Sequence, residues 1–262
     1  MVKRFMKDKI HNVKRSAGIA LLAGAIAFSQ LFYTFPAAAL GKPDYAANDV
    51  FQPLINQVTT ELAPGITERH FTFKNPNQQR SECFSVDVKL DANSNTRILV
   101  GTPDDGEKYG MQTVRDQANA AKENGKNVVA ATNADFYNMA TGEPQGVVVK
   151  NGKEIHGDGG RNFFAIKTDG TAIIGTSKQY ENEKDNIQEA VGCGPILVAD
   201  GKAKEFSDGP YPYVGIGIRD DNSVFMACID GAQPQYSEGF TQNDLAHLLV
   251  DMGAVWGAKL DG

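Results

Sequence analysis

The stretch "GVVVKNGKEIHGDGGRNFFAIKTDGTAIIG", residues 146–175, contains two β-hairpins in succession. The first turns at Asn151-Gly152, a pair typical of a type I′ turn because both residues tolerate positive φ. The second has the same form and turns at Asp169-Gly170. Because a two-residue turn joins antiparallel strands, successive hairpins build an antiparallel sheet. The stretch therefore favours hairpin sheets over a regular alternation of strand and helix.

Further strands are predicted on both sides of these hairpins. "CFSVDVKLD" (83–91) alternates apolar and polar residues, which is the pattern of a half-buried strand. "TRILVGTP" (96–103), "NVVAATNADF" (127–136) and "DNSVFMACIDG" (221–231) are predicted as strands from their β-branched and apolar residues.

Two segments have helical periodicity. "MQTVRDQANAAKENGK" (111–126) ends at Asn124, before Gly125, and "TQNDLAHLLVDMGA" (241–254) begins with Thr241 as its N-cap. A short helix is also possible near residues 49–57. The sequence predicts a single α+β domain of antiparallel or mixed sheets with two or three flanking helices.

The first 39 residues resemble an export signal. Six basic residues precede the apolar run "AGIALLAGAIAFSQLFYTF", which leads into "PAAAL". This order predicts a cleaved signal peptide, or an anchor if it is retained. We therefore divide the chain into a signal or anchor (1–39), a lead-in segment (40–67) and a domain (68–262). Either form places the domain outside the cell or on the outer face of the membrane.

The charge of the domain disfavours two classes of partner. Residues 1–39 hold six of the 26 basic and one of the 32 acidic residues, so 20 basic and 31 acidic residues follow them. A net charge near −11 does not suit binding to nucleic acid or to anionic lipids. We therefore expect no nucleic-acid partner, and membrane attachment only through an uncleaved N-terminal segment.

The usual cofactor and hydrolase motifs are missing. "GCGPIL" (192–197) continues into proline and a strand, whereas a dinucleotide fold needs a helix there. The four histidines are scattered and no GxSxG or HExxH motif occurs, so a Ser/His/Asp hydrolase gains little support. We expect no cofactor, although a divalent metal is left open.

Three cysteines, Cys83, Cys193 and Cys228, lack the spacing of a zinc site. In an exported protein one disulfide is possible; the sequence allows three pairings, of which Cys83 with Cys193 is favoured. The alternative is that all three are small buried apolar residues.

Polar residues cluster where apolar strands end. "NADF", "GCGP", "IDG" (229–231) and "LDG" (260–262) all follow apolar runs. Loops at strand ends present side chains to ligands from a rigid scaffold. These motifs therefore indicate ligand-binding loops; plain turns are the alternative for Asp-Gly pairs, which fits 229–231 and 260–262 less well because no obvious return strand follows them.

Five blocks follow one another along the chain: "NADFYNMATGEPQGVVVKNGK", "GRNFFAIKTDGTAIIG", "EAVGCGPILVADGK", "GIGIRDDNSVFMACIDGAQPQYSEGFT" and "LAHLLVDMGAVWGAKLDG". In this order they resemble the phosphodiester glycosidase family. The family includes the enzyme that removes N-acetylglucosamine from mannose 6-phosphate diesters. The resemblance implies a secreted hydrolase that cleaves the glycosidic C–O bond of a sugar-1-phosphodiester in envelope or extracellular glycans. Its implied partner is such a phosphorylated glycan.

The resemblance also implies site residues. Asp135 and Asp261 are implied as catalytic carboxylates, because an oxocarbenium-like transition state needs one nearby. Glu143 is a possible second carboxylate or, equally, a solvated turn residue. Asn133 and Asn138 are implied to orient the sugar.

The phosphate side of the site is implied by other motifs. Arg161 is the expected phosphate partner, and Gly192 and Gly194 are expected to donate backbone N–H groups to the anion. Further implied substrate-binding residues are Tyr213, Asp230 and Gly231.

Three departures from the family pattern support other readings. Tyr213 and Val214 replace the arginine and threonine of "PRTAVGI", Ala232 replaces an arginine, and the chain stops at Gly262 where the family usually continues "LDGGGSS". On this basis we expect a truncated domain with weak or no activity. A non-catalytic carbohydrate-binding or envelope-associated module is the alternative. A metal-dependent nuclease or phosphatase that uses Asp135, Asp230 and Asp261 is a third possibility.

Overall fold

The computed structural model describes residues 54–74, 78–90 and 95–261. The predicted signal segment, the first part of the lead-in segment and Gly262 lie outside the described residues. In the first half of the described chain the elements are β1 (Leu54–Ala63), β2 (Ile66–Lys74), β3 (Arg80–Val88), α1 (Val114–Glu123), β4 (Val148–Lys150), β5 (Lys153–His156), β6 (Asn162–Lys167) and β7 (Ala172–Gly175). In the second half they are α2 (Ser177–Glu183), β8 (Ile187–Cys193), β9 (Ile196–Ala199), β10 (Lys202–Ala203), β11 (Tyr213–Ile218), β12 (Val224–Ile229), α3 (Gln242–Asp251) and β13 (Trp256–Leu260).

The strands form two antiparallel sheets. The large sheet has eight strands in the order β1-β2-β3-β12-β11-β13-β9-β10, and the small sheet has five in the order β5-β4-β8-β6-β7. With three α-helices among the described residues, this arrangement confirms the predicted α+β fold.

The layers are visible in the buried clusters. Leu245, Leu248 and Leu249 of α3 pack on one face of the large sheet, against residues such as Phe225. The other face packs against the small sheet, where Phe164, Ile174, Ile216 and Leu260 belong to one cluster. Tyr180 of α2 packs with Val149 and Phe163 on the outer face of the small sheet. The order of layers is α3, large sheet, small sheet, α2.

Local turn and cap chemistry confirms the predicted hairpins and helices. Asn151 and Gly152 have φ values of 52° and 76°, as a type I′ turn requires. Thr241 accepts a hydrogen bond from the Asp244 N–H at 3.1 Å, and the Asp244 carboxylate accepts one from the Thr241 N–H at 2.9 Å. This reciprocal capping box fixes the first turn of α3.

Three predicted elements are wrong. Residues 96–103 and 127–136 form no strand, because their backbone groups find isolated partners in place of a continuous ladder: the Val100 N–H donates to Glu189 Oε2. The predicted helix near 49–57 is contradicted over 54–57, since Leu54–Ala63 is β1 and pairs with β2. Periodicity detects an extended or amphipathic segment, whereas a ladder depends on which strand lies beside it.

The predicted disulfide between Cys83 and Cys193 is also contradicted. All three cysteines are free thiols. Cys83 packs in the cluster on the α3 face of the large sheet, whereas Cys193 packs in the cluster between the sheets. The large sheet separates the two sulfur atoms, so the alternative of buried apolar cysteines describes them better.

A buried lysine ties the segment before α1 to the small sheet. Lys150 Nζ donates to Thr102 Oγ1 at 2.7 Å and to Asp105 Oδ1 at 2.6 Å, and its side chain is 3% exposed. Lys153, the first residue after the turn, forms a contact of the same length with Glu107, but its side chain is 60% exposed. The pairs differ mainly in their access to water.

Replacing these two lysines by methionine tests the role of burial. We expect Lys150→Met to lower the free energy of unfolding by about 2 kcal/mol, because a buried carboxylate loses a partner. Lys153→Met is the matched control and should change it by at most about 0.5 kcal/mol, as exposed pairs do. Urea unfolding measures both, and equal effects would contradict the structural role of Lys150.

Candidate functional site

Three neighbouring strands of the large sheet, β12, β11 and β13, begin or end side by side, and we call this row of strand termini the edge. Tyr213 begins β11 and pairs with Ile229 of β12, and Val214 pairs with Leu260 of β13. Asp230 and Asp261 are the residues that follow β12 and β13, so they lie at the same edge as Tyr213. The Asp261 N–H donates to the Ala134 carbonyl at 2.7 Å, which brings the "NADF" segment to this edge.

A cleft of about 440 Å³ opens beside this edge, where the two sheets meet. Its lining residues come from the "NADF" segment, the loop before β6 and the β8–β9 connection. They are Phe136, Gln145, Gly160, Arg161, Asn162, Cys193, Gly194 and Pro195. The Asn162 side-chain amide donates to the Gly194 carbonyl at 2.8 Å and joins two of these segments.

Arg161 is held in the cleft wall by a carboxylate and a ring. Its Nε and Nη2 atoms both lie 3.0 Å from Asp135 Oδ1. The guanidinium carbon lies 5.0 Å from the centre of the Phe136 ring, and Nη1 donates to Gln145 Oε1 at 3.4 Å. These contacts fix the plane of the guanidinium, which an anion could then meet without further ordering.

Asp135 is almost fully enclosed. Its side chain is 5% exposed, and its Oδ2 has no hydrogen-bond partner among the described residues. A Cβ added at Gly192 would lie 2.1 Å from this oxygen, and one at Gly146 would lie 2.5 Å from it. Burial raises the pKa of Asp135, and the Arg161 charge opposes that rise. The carboxylate therefore depends on two glycines for space and on Arg161 for charge balance.

The ammonium group of Lys259 is a second cation near the Phe136 ring. Its Nζ lies 5.0 Å from the centre of the Phe136 ring and 4.7 Å from that of Tyr213. Tyr213 is itself oriented, because its hydroxyl donates to Asp208 Oδ2. Burial lowers the pKa of Lys259, while the charges of Asp261 and Asp208 raise it.

The expectation that two glycines donate to an anion is wrong. The Gly192 N–H donates to the Val147 carbonyl at 2.8 Å, and the Gly194 N–H donates to the Lys259 carbonyl at 2.8 Å. Both donors are therefore used within the fold. These two glycines are important because they have no side chain. Gly192 leaves room for the Asp135 carboxylate, and Gly194 lines the cleft.

Three other predicted residues, Asn133, Asn138 and Glu143, are exposed and lie outside the cleft lining. Asn138 Oδ1 accepts a hydrogen bond from the Ala140 N–H at 2.9 Å, which makes it a turn residue. Glu143 Oε1 lies 3.6 Å from His156 Nε2, and its side chain is half exposed.

Asp230 and Gly231 have local roles at the sheet edge. Asp230 Oδ1 accepts hydrogen bonds from the Gly231 N–H at 2.9 Å and from Gln233 Nε2 at 3.2 Å. A Cβ at Gly231 would lie 2.7 Å from the Pro212 nitrogen, so this glycine allows the loop to pack against the start of β11.

Sequence reasoning missed Phe136, Gln145, Asn162, Asp208 and Lys259. Phe136 lies inside the motif "NADF", and Lys259 directly precedes the motif "LDG". Lys259 and Asp261 are two positions apart in an extended segment, a spacing that places side chains on one face. That spacing was the available signal, whereas nothing local marks Asp208 or Asn162.

The described residues contain no group of three histidine, cysteine or acidic side chains that could hold a metal ion. In particular, Asp135, Asp230 and Asp261 do not come together as the third possibility requires. None of the three helices in the described ranges has the length and apolarity that a membrane crossing requires.

The chain belongs to the phosphodiester glycosidase family. The sequence profile of this family matches residues 126–262, just over half of the chain. This confirms the family to which the five blocks pointed. No curated protein sequence matches the chain.

Solved structures share the fold at low sequence identity. The catalytic domain of zebrafish N-acetylglucosamine-1-phosphodiester alpha-N-acetylglucosaminidase, auto-inhibited by its pro-peptide, superposes with a TM-score of 0.60 at 16% identity, over 79% of this chain and 75% of that one. A protein from Synechocystis gives 0.55 at 12% identity, over 79% and 58%. A protein from Burkholderia pseudomallei gives 0.57 at 10% identity, over 83% and 93%. At these identities the likeness concerns the fold alone.

Proposed function

We propose that this protein is a hydrolase that cleaves the glycosidic C–O bond of an N-acetylglucosamine-type sugar-1-phosphodiester. Family membership supports the class of reaction, and the name of the zebrafish relative suggests the sugar. The observation that carries the proposal is a guanidinium fixed in the wall of a cleft by a hydrogen bond and an ion pair with Asp135. A fixed guanidinium is suited to bind two phosphate oxygens at once.

The chemistry needs little beyond charge and a carboxylate. Water adds its oxygen to the anomeric carbon, the C–O bond electrons pass to the phosphate oxygen, and a carboxylate accepts the proton that leaves the water and then releases it to solvent. The substrate phosphate carries one negative charge and the phosphomonoester product carries two near neutral pH. Cations beside the leaving oxygen therefore stabilise the transition state more than the ground state.

We assign the two carboxylates different roles. Asp135 Oδ1 is taken by Arg161 and Oδ2 is enclosed by Gly146 and Gly192, so Asp135 acts as a positioning residue for Arg161. Asp261 follows the end of β13, is partly exposed, and is joined through its backbone to the "NADF" segment. Asp261 is thus our choice for the carboxylate that serves the anomeric carbon.

We further propose that the enzyme acts on glycans outside the cell. The support is the charged, apolar and small-residue order of residues 1–39. The rest of the chain is acidic and does not attract anions at long range. An anionic substrate would therefore be bound by specific contacts in the cleft.

Hydrolysis of an N-acetylglucosamine-1-phosphodiester in ¹⁸O-labelled water tests the function. We expect free sugar and a phosphomonoester without ¹⁸O. The phosphate is the decisive product, because a reducing sugar exchanges its anomeric oxygen with water after release. Label in the phosphate would show cleavage at phosphorus and overturn the proposal, and absence of any turnover would favour the carbohydrate-binding alternative.

A contaminating hydrolase is excluded with two arginine variants purified in the same way. Arg161→Gln should release almost no sugar. Arg115→Gln, an exposed site on α1, should match the unmodified protein.

A further inference from the structure

The side chain of Lys259 lies against two aromatic rings, whereas most lysine side chains extend into water. The register pairs Gly215 with Lys259, so the lysine shares a face of the large sheet with Tyr213, two residues along β11. Because Gly215 has no side chain, the lysine stem can lie across β11. Its Nζ then rests within 5.0 Å of the centres of two rings, Phe136 and Tyr213.

The ammonium of Lys259 is available for an additional ligand. Arg161 has a carboxylate partner, whereas Lys259 Nζ forms no hydrogen bond or ion pair among the described residues and contacts only ring faces. Ring faces attract the cation but satisfy none of its three donors. An anion in the cleft could accept those donors.

The two cations lie near enough to one ring for a single phosphate group to reach both. Arg161 Cζ and Lys259 Nζ each lie 5.0 Å from the centre of the Phe136 ring, so these two atoms are at most about 10 Å apart. A phosphate that accepts bonds of about 2.8 Å through two different oxygens bridges donor nitrogens up to about 8 Å apart, a separation that this limit allows. Burial favours loss of the Lys259 proton, the charges of Asp261 and Asp208 oppose that loss, and the Arg161 charge favours it. An anion that accepts hydrogen bonds from Lys259 Nζ would replace the water that burial removes from this ammonium.

We propose that Lys259 binds the phosphate oxygens of the substrate together with Arg161, with Phe136 holding both cations in place. This inference rests on the proposed function and names its phosphate-binding pair. The pair should prefer a phosphomonoester dianion to a phosphodiester monoanion. Loss of Lys259 should therefore lower kcat more than it raises KM, and should weaken inhibition by the phosphomonoester product.

Binding of methyl phosphate at pH 8, measured by calorimetry on the full chain, tests the pair without turnover. We expect Lys259→Gln to weaken binding at least 10-fold and Lys259→Arg to keep it within about threefold. Lys178→Gln, an exposed site on α2 with the same change of charge, is the matched control. Thermal melting of each variant identifies a folding defect.

Chemical labelling supplies a second measurement on the unmodified protein. A partly buried lysine with a lowered pKa reacts readily with an amine-directed reagent, and methyl phosphate should protect Lys259 but not Lys178. Unchanged binding by Lys259→Gln, or no binding by the unmodified protein, would overturn the inference. If binding depends on Lys259 but no sugar is released from the diester, the inference stands and the proposed function fails.

Discussion

Replacing Arg161 by glutamine is expected to reduce sugar release from a sugar-1-phosphodiester by at least about 100-fold. Removal of one preorganised group that stabilises developing charge commonly has an effect of this size. The same change leaves the Asp135 carboxylate buried without its cation, since that side chain is only 5% exposed. We therefore expect unfolding free energy to fall by about 2–3 kcal/mol as well. Steady-state kinetics and urea unfolding measure the two effects.

A double variant separates chemistry from stability. Asp135→Asn combined with Arg161→Gln removes both charges, so most of the stability should return while activity stays low. Arg115→Gln should change neither quantity. Recovery of activity in the double variant would contradict the assignment of Arg161 to the phosphate.

The pH dependence of Arg161→Gln has a definite sign. Burial raises the folded-state pKa of Asp135, and loss of the Arg161 charge raises it further. A raised pKa means that the folded state binds the proton more tightly than the unfolded chain. The stability deficit should therefore be smallest below the ordinary pKa of aspartate, near 3.8, and grow as pH rises through the raised value. A deficit that shrinks at higher pH would contradict burial as the cause.

Gly192→Ala is expected to disable the site through a single methyl group. The added Cβ would lie 2.1 Å from Asp135 Oδ2 and 2.8 Å from the Gly146 Cα, distances that packed atoms do not adopt. Asp135 would have to move, and Arg161 with it. We expect a loss of activity of about 100-fold or more and a loss of stability of about 1–3 kcal/mol, typical of overpacked cores.

Gly157→Ala is the control for this substitution. Its Cβ would meet nothing closer than the Glu154 carboxylate at 3.6 Å, an ordinary contact. It should keep near-normal activity and stability. A crystal structure of the Gly192 variant with Asp135 unmoved would contradict the packing explanation.

Local chemistry made much of the fold predictable from the sequence. The Asn151-Gly152 turn and the Thr241 capping box depend on residues a few positions apart, and both are confirmed. The failed strands at 96–103 and 127–136 depend on partners far away in the chain. Apolar periodicity predicts burial of one face, but it does not determine which backbone lies alongside.

For the candidate site, too, local sequence features were predictable, whereas contacts between residues far apart in the sequence were not. The sequence predicts that polar residues at strand ends come together, and the structure brings Asp135, Arg161 and the Asp261 backbone into one region. The role of Gly192 was read as donation to an anion, because the spatial neighbour Asp135 cannot be inferred from sequence spacing. Lys259 was missed for a similar reason, since its importance comes from Phe136, 123 positions earlier in the numbering.

The contact between the two sheets has a consequence for the geometry of catalysis. Arg161 enters the site from the small sheet and Lys259 from the large one, so no single element holds both cations. The packing of the two sheets through their shared apolar layer, where Phe164 and Ile174 meet Ile216 and Leu260, therefore contributes to the separation of the two cations. The core between the sheets is thus a spacer for the site, and changes in its volume would retune the gap that a phosphate must fill.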